Sequence, residues 1–298
     1  MLKFFKFFKK REENAAGGTL VIGCGGGGCN IVNRLGRISG VELLTVNTDQ
    51  KGLVRSRANR RILLGDGTIT SGCGGNVEMG VRLTKFASDL IEEHIKRHTT
   101  IVLMAGLGGG TGTGAVKVIS EMAKRNGSRV IVMVTLPMSF EAGRRKAALG
   151  ALSDIKRSSD IVLILDGDRL TEIDPAIGAR EALSILDQMI CESFLCLTEM
   201  LEGENGESMY KAMTNRTMTA SFAEGMNVEK VANTLANGIM AGYPSVSQPV
   251  IFVRGNIPQN GSEEIIRDII SEKTGTEPTF VQGPGGTGMN LVMFVPIQ

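Results

Sequence analysis

Two glycine-rich stretches, each behind a short apolar run and ahead of a helical pattern, restrict this chain more than any other feature. The longer covers residues 105–115, AGLGGGTGTGA, between the run 99–104 and the helical pattern 116–124. Strand, glycine turn and helix N-terminus in that order make a phosphate cradle. Glycine lets the backbone turn and approach an anion closely. The unpaired N–H groups of the first helical turn, with the positive end of the helix dipole, then face the negative charge. Thr111 and Thr113 bring hydroxyl groups to the same place, as donors or metal contacts. No lysine follows these glycines, so this is not a Walker-type loop.

The second stretch is residues 23–30, GCGGGGCN, behind the strand pattern 19–22. Gly23-x-Gly25-x-x-Gly28 satisfies the dinucleotide fingerprint, with Asp49 about twenty residues further on. An NAD-binding Rossmann enzyme therefore competes as a reading. It leaves residues 106–114 unexplained, because a dinucleotide site asks for one such loop.

Both stretches together resemble the tubulin/FtsZ superfamily, on the FtsZ side. GGGTGTG at 108–114 is similar to its signature loop, GGGGCN at 25–30 to its first loop, and Asn47-Thr48-Asp49 to its NTD motif. Ser71 to Asn76, SGCGGN, resembles the AGGN loop that senses the terminal phosphate, one residue shorter than usual, ahead of a helix over 77–96. Residues 136–145, LPMSFEAGRR, resemble the P-x-x-FEG-x-x-R loop, and ALSILDQMI at 182–190 the start of a long central helix.

The resemblance covers residues 19–298, strongly to about 165. It implies an α/β fold: a Rossmann-like GTP-binding domain with a mainly parallel sheet over 19–175, a central connecting helix over 176–201, and a smaller α+β C-terminal domain over 202–298. By the same resemblance, GTP or GDP with Mg²⁺ would be bound. Gly25, Gly26, Gly27 and Gly28 would hold phosphates together with Gly108, Gly109, Gly110, Thr111, Gly112 and Thr113, with Asn30 and Asn33 on the helix behind the first loop. Asp49, Gly75 and Asn76 would lie near the metal or the terminal phosphate. Glu141 would accept from ribose hydroxyls, Arg145 would lie near ribose or phosphate, and Asp187 would pair with guanine, as a carboxylate accepting two N–H bonds can.

The chain departs from the family pattern at three places. Gly167 stands where an asparagine usually reads guanine, with Asp166 and Asp168 beside it as substitutes. Leu183 stands where a base-stacking Phe is typical. After the central helix the family's NxDFAD loop, which completes the next subunit's site, is replaced by a shorter EGENGES at 202–208 without either Asp. Two readings follow. Glu204 or Glu207 does the same work with a longer arm, or GTP is bound and hydrolysed slowly or not at all. Rate is sensitive to geometry in phosphoryl transfer, which favours weak hydrolysis.

Beyond 209, a helix over 209–214, a strand over 217–222 with one wet face, a helix over 228–240 and a strand over 248–254 are expected. A helix over 262–273 capped by Ser262 follows, then strands 277–282 and 289–296 paired as a hairpin. Five cysteines (24, 29, 73, 191, 196) in glycine loops or an apolar helix read as reduced thiols. His94 and His98, four apart in a charged run, read as a solvated helix face and not as metal ligands. A net charge of +2 and no aromatic–basic interleaving argue against nucleic acid as partner.

The N-terminal residues 1–11, MLKFFKFFKKR, precede any fold pattern, with 12–18 as a linker. At about 100° per residue, Met1, Leu2, Phe4, Phe5, Phe7 and Phe8 fall on one side of a helix and Lys3, Lys6, Lys9 and Lys10 on the other. Such a helix lies in a membrane interface and favours anionic lipid. Docking on its own domain or on a protein partner is the alternative. FtsZ usually continues into a linker and adaptor-binding peptide, and nothing similar follows Gln298 in this sequence. The expectation is therefore a head-to-tail self-assembling polymer attached directly to the inner face of the cell membrane, in cell division or membrane remodelling. The alternative within the family is a non-hydrolysing regulator of FtsZ-type assembly.

Overall fold

The computed structural model describes residues 18–69, 71–238, 247–258, 261–283 and 288–297. The amphipathic segment 1–11 and most of the linker lie outside these. The chain forms two compact units, Met1–Asp160 and Ile161–Gln298.

In the first unit, β1 (Thr19–Cys24), α1 (Gly25–Leu35), β2 (Val41–Asn47), α2 (Gln50–Val54) and β3 (Arg60–Leu63) alternate. Next come α3 (Val77–Phe86), α4 (Ser88–Ile95), β4 (Thr100–Gly106), α5 (Gly110–Arg125), β5 (Arg129–Leu136) and α6 (Ala142–Arg157). The strands are parallel, in the order β3-β2-β1-β4-β5. Their near-continuous apolar runs fit burial on both faces: Leu20, Val21 and Ile22 of β1 have no exposure, and neither do Leu103, Met104 and Ala105 of β4. The sheet grows in opposite directions from β1 and β4, so their carboxyl ends flank the switch point where such sheets bind ligands.

The glycine stretches, expected as loops, are largely helix: α1 begins at Gly25 and α5 at Gly110. The first-turn N–H groups that an α-helix leaves unpaired are therefore those of Gly25 to Gly28 in α1 and of Gly110, Thr111 and Gly112 in α5. The helix expected over 77–96 is broken at Ala87. Thr84 turns its hydroxyl back to Gly80 O, 2.7 Å, and Ala87 N donates to Thr84 O. Such back-bonding bends a helix and tightens its last turn.

His94 and His98 are not solvated. They close over Glu42 of β2, with His94 Nδ1 at 3.3 Å and His98 Nε2 at 3.4 Å from its carboxylate, and are 18% and 10% exposed.

The second unit holds β6 (Ile161–Asp166), α7 (Gly167–Ile173), the long helix α8 (Ala179–Glu202), α9 (Gly206–Met213) and β7 (Arg216–Gly225). It continues with α10 (Val228–Asn237), β8 (Val250–Gly255), α11 (Ser262–Thr274), β9 (Thr279–Gln282) and β10 (Met289–Ile297). Strand order is β6-β7-β10-β8-β9; β6 pairs β7 and β8 pairs β9 in parallel, while β10 is antiparallel to both its neighbours. The expected hairpin of the last two strands is thus wrong. The run Leu291 to Ile297 is buried on both faces and demands a central position, whereas β9 is only half-buried and takes the edge. The expected wet face of β7 is wrong as well. Thr217, Thr219 and Ser221 are buried, and Ser221 donates to Leu235 O of α10. Gly261, left-handed at φ 79°, caps α11, and Ser262 is its first residue instead of the cap.

Candidate nucleotide site

The glycines of the first unit fall into two groups. One group packs backbone on backbone. A Cβ on Gly25 would lie 2.7 Å from Gly112 N; one on Gly110, 2.5 Å from Asn76 O; one on Gly108, 2.6 Å from Arg144 O. These contacts draw the first loop, the SGCGGN loop and the 136–145 loop onto the start of α5, at a closeness no side chain permits.

The other group has no such reason. A Cβ on Gly26 or Gly109 would meet nothing within 4 Å, and both residues have negative φ. Glycine inside a helix costs about 1 kcal/mol relative to alanine, so Gly26 in the first turn of α1 weakens the helix without helping the packing. What it leaves is bare backbone at a helix N-terminus, open to an approaching anion. Asn30, one turn along the same face, is exposed, and Gly75 is open too.

Side chains brace the cradle from beneath. Thr48 Oγ1 lies 2.6 Å from Thr111 Oγ1, and Cys73 Sγ lies 3.6 Å from the first and 3.4 Å from the second. Thr113 Oγ1 accepts from Gly108 N at 2.9 Å and is fully buried. Thr111 and Thr113 therefore brace the loops, a role the sequence reading did not assign them. Thr48 and Cys73 were missed as site residues, although both sit inside motifs already recognised.

Asn76 and Asp49 cap helices. Asn76 Oδ1 accepts from Met79 N at 2.9 Å at the start of α3, and Asp49 Oδ1 accepts from Lys51 N at 3.0 Å at the start of α2. Each keeps its other terminal atom available. Among the described residues no three His, Cys, Asp or Glu side chains form a metal site. Asp49 thus offers one carboxylate, which suits Mg²⁺ carried mainly by phosphate and water. Glu141 pairs with Arg144, and Arg145 Nη1 donates to Pro137 O at 2.6 Å, which shapes the loop. Burial pushes the Cys29 thiol up to about 11 and raises that of Cys24 still further, so both stay protonated at neutral pH. All five cysteines are free.

The second unit carries the remaining candidates. Asp187 is half-buried on α8, with Leu183 one turn earlier on the same face and 49% exposed. Asp166 is buried and caps α7 by accepting from Asp168 N at 3.1 Å. Glu204 and Glu207 are exposed, and Glu207 sits 4.0 Å from Lys211, one turn on.

The family model for the tubulin/FtsZ family GTPase domain matches residues 19–175. Cell division protein FtsZ 2 of Methanocaldococcus jannaschii is 34% identical over 195 residues, 64% of this chain and 51% of that protein. Cell division protein FtsZ 2 of Halobacterium salinarum is 36% identical over 185 residues, 61% and 47% of the two. The matched region thus spans about half the length of these curated relatives. In fold, the chain is similar to an FtsZ dimer subunit of M. jannaschii (TM-score 0.81, 23% identity, covering 95% and 88% of the two chains). It is similar also to CetZ2 from Haloferax volcanii, solved as a GTPγS-bound protofilament (TM-score 0.78, 19% identity, 93% and 92%). The match over more than half its length makes this chain a member of the tubulin/FtsZ family, carrying that family's GTPase domain at residues 19–175.

Proposed function

We propose that this chain is a GTP-binding, FtsZ-like cytoskeletal protein that assembles head to tail on the inner face of the cell membrane, attached by residues 1–11, and hydrolyses GTP slowly. The observation that carries nucleotide binding is the pair of bare helix starts, Gly26 and Gly109, side by side at the switch point of the sheet. A dinucleotide enzyme has no use for the second.

In this reading the first turns of α1 and α5 hold the phosphates through backbone N–H groups. Asp49 is the carboxylate available to Mg²⁺, which when bound supplies charge neutralisation at the phosphates. Asp187 reads the base through its two carboxylate oxygens, and Leu183 covers the base with an apolar surface. Slow hydrolysis is supported by the missing Asp pair after α8. A regulator of FtsZ-type assembly that binds GTP without turnover is the second reading, favoured by the same fact.

The test is phosphate release from GTP against protein concentration, with anionic liposomes present. A low rate per molecule that rises above a threshold concentration is expected. A rate independent of concentration refutes a subunit-completed site, and release of NAD on denaturing the purified protein refutes the whole reading.

A further inference from the structure

We infer that the β3 edge of the first unit is a second contact with the anionic bilayer, built from arginine. This rests on the proposed attachment through residues 1–11 and adds the orientation in which the protein lies.

Six exposed arginines gather at one edge of this unit: Arg34 and Arg37 at the end of α1, Arg55 and Arg57 after α2, and Arg60 and Arg61 on β3. Asn33 clips two of these segments together, its Oδ1 accepting from Arg57 N at 2.7 Å and its Nδ2 donating to Arg55 O at 3.5 Å. The start of β3 is thereby held against the last turn of α1. Residues 34–61 carry seven cations and only two carboxylates, Glu42 and Asp49. Glu42 faces His94 and His98, and Asp49 caps α2. Residues 1–17 add five cations and two carboxylates. The whole chain is only +2, so everything outside these two stretches is net negative.

The described residues begin close to the second basic stretch. Gly18 packs against Gly40, three residues after Arg37, and Thr19 pairs with Val41 at the start of β2. Arg60 pairs with Leu44, three residues along β2. Two strand spacings sideways and three residues along place β3's start roughly 15 Å from Thr19. Residues 12–17 alone reach up to about 20 Å. The anchor and the arginines can therefore touch one flat surface together. The nucleotide cradle lies at the opposite, carboxyl ends of β1 and β4 and stays uncovered.

The chemistry of the patch fits a bilayer. Cations near an anionic leaflet each contribute to binding, and the hold of an amphipathic anchor grows with its buried apolar area and with electrostatic attraction to anionic lipid, so added cations strengthen it. Val54, 68% exposed, stands among the arginines as an apolar side chain that inserts between headgroups. Residues 34–61 contain no Phe, Tyr or Trp on which a nucleic-acid base would stack. Arginines on an edge strand also block edge-to-edge pairing. That role alone leaves lipid binding untouched, which separates it from this one.

The experiment measures sedimentation of the full chain with vesicles of phosphatidylcholine, with and without phosphatidylglycerol. The full chain is compared with a 1–11 deletion and with the triple variant Arg55→Gln, Arg57→Gln, Arg60→Gln, each checked for retained guanine nucleotide. The triple variant is expected to bind anionic vesicles about a hundredfold more weakly, near fivefold per cation, with no change on neutral vesicles. The corresponding Arg→Lys triple should bind like the parent, and single Arg57→Gln, about fivefold less, serves if the triple misfolds. Unchanged binding by the Gln variants, with binding still abolished by the deletion, overturns the arginine edge and leaves the anchor standing. A full chain that binds no anionic vesicle overturns both. Loss of a duplex oligonucleotide by the triple variant, with vesicle binding intact, assigns the edge to nucleic acid and overturns the inference as well.

Discussion

The hydroxyl of Thr48, just beyond β2, lies 2.6 Å from the hydroxyl of Thr111 in the first turn of α5. Both are buried, and the bond ties the NTD motif to the signature glycines across 63 residues of sequence. Thr111→Val keeps the shape and removes the bond. Leaving Thr48 with the weaker sulfur contact should cost about 1–3 kcal/mol of stability, read from urea unfolding. Guanine nucleotide affinity should fall in step, measured by calorimetry.

Gly26 and Gly28 are two residues apart and should respond oppositely. Gly26→Ala adds a methyl that meets nothing, so the unfolding free energy should hold or rise by up to about 1 kcal/mol while nucleotide binding weakens. Gly28→Ala places its methyl 2.3 Å from Met104 O and should destabilise by about 1–3 kcal/mol or more. Comparing melting with nucleotide retention distinguishes ligand space from packing space.

Arg254 grips Glu199 of α8 through two bonds, Nε at 2.8 Å and Nη2 at 2.6 Å, with side chains 16% and 22% exposed. Arg254→Leu removes the partner and leaves a largely buried carboxylate. A loss of about 1.5–3 kcal/mol is expected on chemical denaturation. Removing the stranded charge with Glu199→Gln in the same chain should recover part of it.

Glu192 lies on the same helix, and its carboxyl is held above the ordinary range by burial, opposed by Arg254 and reinforced by Glu224 and Glu199. A raised folded value means that its favourable contribution is complete below the unfolded carboxylate range and is lost as pH rises through the folded value. Glu192→Gln should therefore stabilise the protein at pH 7–8, and the advantage should shrink toward pH 4. Melting temperature followed across pH in parent and variant checks this.

Asp187→Asn exchanges one acceptor for a donor in a group proposed to accept two guanine N–H bonds. GTP affinity should drop about tenfold or more, with far less change for a nucleotide lacking the guanine amino group. Equal losses for both bases count against the assignment.

Much of the nucleotide half was legible because its signals are local. Residues 19–22 and 99–104 are apolar runs, and an apolar run followed by glycine and a helical period reads the same in any context. The motif residues Asn47, Thr48 and Asp49 needed no more than adjacency. Less was legible in the second half. The hairpin expected between residues 277–282 and 289–296 followed from closeness in sequence, yet β8 lies between β9 and β10. Thr219 and Ser221 looked like a wet face because polarity alternates there, and α10 covers them.

The sequence by itself determined the fold class, the two glycine stretches as a pair and the family, because each rests on residue types at short, fixed spacing. Only the tertiary structure decided that the glycines are helix instead of loop, that Gly26 faces open space while Gly28 is packed, that His94 and His98 close over Glu42, and that six arginines share an edge. Each of these depends on which distant backbone lies within a few ångströms, and a one-dimensional pattern carries no record of that distance.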